Sequence, residues 1–271
     1  MAKEDVHKYG TDDGWHGVIQ AGGEFPPEKD SRFMHQLYFR DDPSYKGKYS
    51  VPLLWDKKTN RIVNNESLEM LRWLPHAFDS LIEEEKIRSI DFYPSDLRDK
   101  IDEVTPWLTS LICSGVYKAG FNPTQEGYDE HVVPLFAALN KLEKVLHGNG
   151  GPYMLGEQLT ELDLLAYPTV VRFDTVYVQH FKTNLGTIRH DYPVLNNWLK
   201  NLYHNIEGFK ESTDFQHIKE NYTKSHKDIN PLSITPMGPY PEVEEGYESD
   251  WSKLKPGQVQ HPLVVEAASK L

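Results

Sequence analysis

The chain has 271 residues, enough for one large domain or two modest ones. Asp and Glu total 41 against 29 Lys and Arg, a net charge of −12, which argues against a nucleic-acid partner because phosphate contacts need basic patches. One cysteine, Cys113, excludes an internal disulfide and a thiolate zinc cluster; the 12 histidines form no paired ligand spacing, so no metal is expected. No apolar run approaches a membrane span, and no basic-then-apolar leader opens the sequence, so a soluble protein made in the cytosol is expected, with no membrane partner.

Residues 1–30 are polar and Gly/Pro-rich and read as an extended arm, with Trp15 and Phe25 as docking points. SRFMHQLYF then carries Phe33, Met34, Leu37 and Tyr38 at helical spacing, and DDPSYKGK reads as a turn. YSVPLLWD and RIVNN, on either side of the polar KKTN, predict a β-hairpin whose first strand opens at Val51-Pro52. Asn64-Asn65-Glu66-Ser67 follow where strand gives way to helix. Such a quartet suits a small zwitterion, and equally a turn and a helix cap. Ser67 to Leu74 predicts a helix with Leu68, Leu71 and Trp73 on its apolar side, and residues 75–98 read as irregular.

Helices are predicted over 99–116 and over 125–147, the second with Pro134 inside its apolar stripe and bent there. Thr160-Glu161-Leu162-Asp163 is a capping-box start to a further apolar helix, with Asp163 structural. Residues 193–205 and 214–223 predict two more helices, and the Pro-rich acidic stretch 226–271 reads as a mostly extended tail. There are no internal repeats.

The stretches GEFPPEKD, YKGKYSVPLLWDKKTNRIVNNES, SGVYKAGFNPTQEGYD, LGEQLTELDLLAYPTVVRFDTVYVQHFKTN, DYPVLNNWLKNLY and INPLSITPMGP resemble the glutathione transferases. Within them they resemble the Xi class, the glutathionyl-hydroquinone reductases, with the fungal Omega-like enzymes close by. The resemblance runs from Gly23 to about Pro239. It implies a mainly α fold: an all-helical transferase C-terminal domain over 93–225, after a thioredoxin-like α/β part over 31–92. It also implies that Val51 and a cis Pro52 meet the cysteinyl part of glutathione and that Glu66 and Ser67 hold its γ-glutamyl end. The physics agrees, since a carboxylate pairs with the ligand ammonium, and a hydroxyl beside a helix start takes its carboxylate. Tyr117 and Tyr177 would be phenol donors in the substrate pocket, with Arg172 and His180 near them in sequence.

The chain departs from the family after GEFPPEKD. Family members continue with a strand, a Cys-Pro motif at a helix start and a second strand; here Asp30 passes straight to SRFMHQLYF. The thioredoxin-like part is therefore expected to be truncated and the catalytic residue absent, because the nucleophilic cysteine would lie in the missing segment. Cys113, on an apolar helical stripe, reads as structural.

The function implied is glutathione-dependent reduction of glutathionyl-hydroquinones, impaired in this chain; the alternative is a non-catalytic transferase-fold binding module. Glutathione and aromatic or quinone molecules are the implied ligands, and a homodimer the implied assembly. The terminal Ser269-Lys270-Leu271 matches the peroxisomal address, implying an import receptor and a peroxisomal location beside a cytoplasmic pool.

Overall fold

The structure is a computed structural model that describes residues 33–271; the expected arm over 1–30 lies outside the described residues. The chain divides into two units, 1–90 and 91–271, against a sequence-based boundary after 92.

In the first unit, α1 (Met34–Asp41) packs on a two-stranded antiparallel hairpin, β1 (Leu54–Asp56) and β2 (Arg61–Asn64). The first strand begins at Leu54, so Val51-Pro52 precede it rather than open it. Asp56 closes the turn, accepting from the backbone N–H of Lys58 (2.8 Å) and the hydroxyl of Thr59 (2.6 Å). Arg61 reaches back to Asp41 at 2.8 Å. Met34, Leu37 and Tyr38 are the buried core, flanked by Tyr45, Tyr49, Leu53, Trp55 and Ile62. α2 (Ser67–Trp73) follows; its buried residue is Met70, while Leu68, Leu71 and Trp73 are half-buried. The expected apolar face is thus rotated toward Met70. A short α3 (Glu85–Arg88) completes the described part of this unit.

The second unit is helical. α4 (Arg98–Trp107) widens into a π-helical turn, Leu108–Cys113, and tightens again as α5 (Gly115–Gly120). α6 (Gln125–Asn149) runs unbroken through Pro134, from a Thr124 cap to Gly150 at φ +76°. α7 (Glu161–Arg172) likewise passes through a π turn, Phe173–Tyr177, into α8 (Val178–His180). α9 (Ile188–Asp191), α10 (Pro193–Asn205) and α11 (Phe215–Ser225) follow. A single helix over 99–116 was expected. Instead the helix widens into a π turn after Pro106, as α7 does after Pro168.

The core of this unit gathers around Trp198 of α10, whose indole N–H donates to the Asp163 carboxylate at 2.8 Å. Asp163 also accepts from the backbone N–H groups of Thr160 (2.9 Å) and Met154 (2.8 Å), so the capping box ties three segments together. Glu143 of α6, fully buried, accepts from the first N–H groups of α10 at Val194 and Leu195, both 2.8 Å.

The tail differs from the extended segment expected. Val243, Trp251, Val259 and Val264 are all buried, and it ends in α12 (Pro262–Ala268), which packs on α6. Polar groups of α6 staple it: Asn140 exchanges hydrogen bonds with the backbone of Val259, and Glu143 accepts from Gly257. Few large aliphatics are needed when buried side chains of another element satisfy the backbone. No helix among the described residues is long and apolar enough to cross a membrane.

Candidate functional site

In the first unit the structure separates the residues of the NNES quartet. The Asn64 side chain accepts from the Glu66 N–H at 2.6 Å and donates to Glu69 at 2.8 Å. Asn65 donates to the Tyr38 hydroxyl (3.0 Å) and to Ser50 (3.1 Å), so it belongs to the scaffold. Glu66 is the N-cap residue of α2 but its carboxylate does not cap the helix; it and Ser67 stay exposed. Val51 is also exposed, and the Val51-Pro52 bond is cis. The quartet is therefore half framework and half open carboxylate and hydroxyl.

The second unit assembles a larger site. Tyr117 comes from α5, and Tyr177 from the π turn after α7. Their hydroxyls lie 3.1 Å apart. Both also meet the hydroxyl of Tyr222 on α11, at 2.5 Å from Tyr117 and 3.1 Å from Tyr177. The three phenols close a hydrogen-bonded triangle. Tyr177 and Tyr222 are buried, whereas Tyr117 is 37% exposed and stacks on Phe121, itself 50% exposed. Burial, reinforced by the neighbouring phenols, pushes the Tyr177 and Tyr222 hydroxyls above their ordinary range, so both are protonated at neutral pH.

His180 is buried beside the triangle, with its Nε2 3.1 Å from Nδ1 of His226. Burial, then the partner ring and Lys182, lowers His180 to about 4. Burial also lowers His226. Phe181 stacks on Tyr177 at 5.4 Å between ring centroids and lies against Tyr222. Arg172 donates to the Pro168 carbonyl at 2.7 Å, and its charge favours the ionised form of Tyr222, against the larger effect of burial.

Tyr117, Tyr177 and His180 are thus brought together as a cluster, with Arg172 at its edge. Tyr222 and His226 were missed by the sequence reading. Phe215, Ile218 and Tyr222 do mark one face of α11, but spacing says only that the face is covered, not by what.

Cys113 closes the other π turn, two residues before α5 begins. Burial raises its thiol to about 11, and its Sγ lies 3.5 Å from the Leu165 carbonyl. At the far end of the chain, Ser269 and Lys270 bond to Glu266, and Lys141 donates to the Leu271 carbonyl oxygen at 2.9 Å. Among the described residues no group of three or more His, Cys, Asp and Glu side chains could hold a metal ion.

Residues 125–201 match the family described as glutathione S-transferase, C-terminal domain. Over 231 residues the chain is 51% identical to glutathione S-transferase omega-like 2 of Schizosaccharomyces pombe, covering 85% of this chain and 74% of the relative. This chain belongs to the glutathione transferases. Its relatives place this transferase in the omega-like and Xi branch. The crystal structure of the Xi transferase from Phanerochaete chrysosporium superposes with a TM-score of 0.77 at 45% identity, over 83% of this chain and 71% of that one. The glutathionyl-hydroquinone reductase YqjG of Escherichia coli is 43% identical over 81% of this chain and 65% of its own length. Its structure with glutathione bound gives a TM-score of 0.73 at 42% identity, over 81% of this chain and 68% of that one. The mainly helical fold, with a two-stranded sheet among the described residues, agrees with the resemblance read from the sequence.

Proposed function

We propose that this transferase binds glutathione and a hydroquinone-type aromatic, and that its tyrosine triangle is where the aromatic oxygen is held. The observation that carries the reading is three mutually bonded phenols with one member open to solvent. A phenolic oxygen arriving at Tyr117 meets a donor, and the two buried hydroxyls behind it shift their hydrogen bonds to compensate. Phe121 supplies an apolar, partly exposed ring against which a second ring can stack. The reductase name of a relative, and its structure with glutathione, support the ligand classes.

Glutathione recognition falls to Val51, Pro52, Glu66 and Ser67. Glu66 and Ser67 offer an exposed carboxylate and hydroxyl to a zwitterion.

Turnover is a separate matter. Reductive removal of glutathione from a hydroquinone needs a thiolate that attacks the glutathionyl sulfur. The electron pair of the carbon–sulfur bond stays with the ring, which takes a proton, and an enzyme–glutathione disulfide forms. The sole thiol of this chain is protonated at neutral pH and faces a carbonyl. We therefore propose that the chain has little or no reductase activity, and Cys113 equally favours the second reading, a non-catalytic binding module. A steady-state assay with a glutathionyl-hydroquinone separates these from an active enzyme. Turnover at the rate of the relatives, abolished by Cys113→Ser, would overturn the proposal. Dimerisation through the helical unit is likewise proposed, and sedimentation showing only a 31.3 kDa species at micromolar concentration would refute it. Peroxisomal delivery through Ser269-Lys270-Leu271 is proposed in the same sense. A fluorescent fusion at the N-terminus that stays diffuse with and without Leu271 would refute it.

A further inference from the structure

Two rungs connect the π turn and α8 to α11. The first is the Tyr177–Tyr222 hydroxyl contact, and the second, one helical turn along both strands of the chain, is His180–His226. The spacing is what makes this a ladder. Tyr177 and His180 are i and i+3; Tyr222 and His226 are i and i+4, with the His226 N–H closing the last turn on the Tyr222 carbonyl. Helix ends fray, so the hydroxyl of Tyr222, within the last turn of α11, needs a second anchor to keep its place against Tyr117 and Tyr177.

We propose that His180 and His226 form the positioning pair of the tyrosine triangle: a neutral imidazole–imidazole hydrogen bond that holds Tyr222 in register and comes apart on protonation. This rests on the reading of the triangle as a phenol-binding surface. The bond requires one N–H and one lone pair at its centre; a proton on the accepting nitrogen sets two N–H groups against each other. Among the described residues nothing offsets that charge. The titratable groups facing the pair are Tyr222 of α11, with Tyr117 and Tyr177 behind it, and Lys182 in the turn after α8. Neither ring makes an ion pair with a described carboxylate. The rest of the enclosure is aromatic: Phe181 stacks on His226 at 6.1 Å and Phe121 meets it edge-on at 4.9 Å.

Hydrogen exchange on the full chain tests the pair without any ligand. Amides of 219–226 are compared with those of α6 in the wild type, His226→Phe and His226→Gln, near pH 7.5 and near pH 4, corrected for intrinsic rates. The wild type is expected to lose about fivefold more protection at 219–226 than at α6 on acidification, the size of one hydrogen bond. His226→Phe, which keeps the ring but not the bond, should show that loss already near pH 7.5. His226→Gln can still bond His180 and cannot titrate, so it should retain most of the protection near pH 7.5. Equal protection in the wild type and His226→Phe at both pH values would overturn the proposal. Fluorescence titration with 2-naphthol then reads the triangle itself: about fivefold weaker binding to His226→Phe near pH 7.5, largely rescued in His226→Gln, is expected. If 2-naphthol fails to bind the wild type while the exchange pattern holds, the phenol-binding reading falls and the positioning role stands. If it binds all three alike, the pair does not position the triangle.

Discussion

At the scale of single residues, the two groups that matter most are a thiol kept protonated by burial and a phenol that bonds two others. Cys113, raised to about 11 by burial, should resist a disulfide reagent at pH 8 in the native protein and react fully once unfolded. Native reaction as fast as unfolded would show that the thiol is open after all. Tyr222→Phe removes one hydroxyl from the triangle but keeps the ring packed on Phe181; it should weaken phenol binding about fivefold and cost on the order of 1 kcal/mol of stability. Tyr222→Ala should cost about 3–5 kcal/mol, because it also opens a cavity beneath Tyr117, and the pair of urea titrations separates the two effects. Tyr117, Tyr177 and His180 could be picked out from the sequence because they sit in stretches resembling the Xi class. Tyr222 could not. Its contact with Tyr117 spans 105 residues, and nothing in ENYTKS announces a partner. Pairings of that range are made by packing, and local spacing reports only that a face is covered.

At the scale of elements, the helices were legible where a capping signal met an apolar stripe, and misread where proline intervened. Thr160 and Asp163 announced α7, and the structure adds what the sequence could not: the same carboxylate receives Trp198 from α10 and Met154 from the preceding loop. Asp163→Ala strands those buried donors together and should destabilise the helical unit by about 3–5 kcal/mol in urea. A loss below about 1 kcal/mol would mean that water replaces the carboxylate. Pro134 sits in α6 without ending it, whereas Pro106 and Pro168 precede π turns. A proline alone does not distinguish these outcomes; the difference lies in what the next turn must pack against. The π turn at 173–177 hands Tyr177 to the triangle, so a helix drawn straight through this segment loses the site's geometry. The tail was misread for a related reason. Its few apolar residues look insufficient for docking until Asn140 and Glu143, polar residues on the stripe of α6, are seen to hold its backbone.

At the scale of the whole molecule, His180 makes the helical unit sensitive to acid. His180 is held to about 4 when folded, so between that pH and its ordinary 6.5 the unfolded chain binds more protons than the folded one. Stability therefore falls as pH drops through that window, by on the order of 2–3 kcal/mol for this group at its lower end. The double variant His180→Phe/His226→Phe should unfold with a flatter pH dependence, whatever its stability at neutral pH; an unchanged slope would assign the acid sensitivity to carboxylates instead. The two units also differ in what holds them. The helical one buries residues from α4 to α12 around Trp198. The described part of the first buries Met34, Leu37 and Tyr38 beneath a two-stranded hairpin, leaving the Trp55 indole N–H buried without a partner. A two-stranded sheet with so small a core is marginal. Amides of residues 54–64 should therefore exchange well before those of α6 and α10 in the same molecule. Bound glutathione adds stability only where it binds. At ten times its dissociation constant it contributes about 1.4 kcal/mol, so exchange across 54–64 should slow roughly tenfold in the wild type. In Glu66→Ala, which removes the carboxylate offered to the ligand ammonium, the same glutathione concentration should leave exchange nearly unchanged. Slowing of equal size in both proteins would remove Glu66 from the site, and no slowing in either at millimolar glutathione would show that the hairpin and α2 do not bind it.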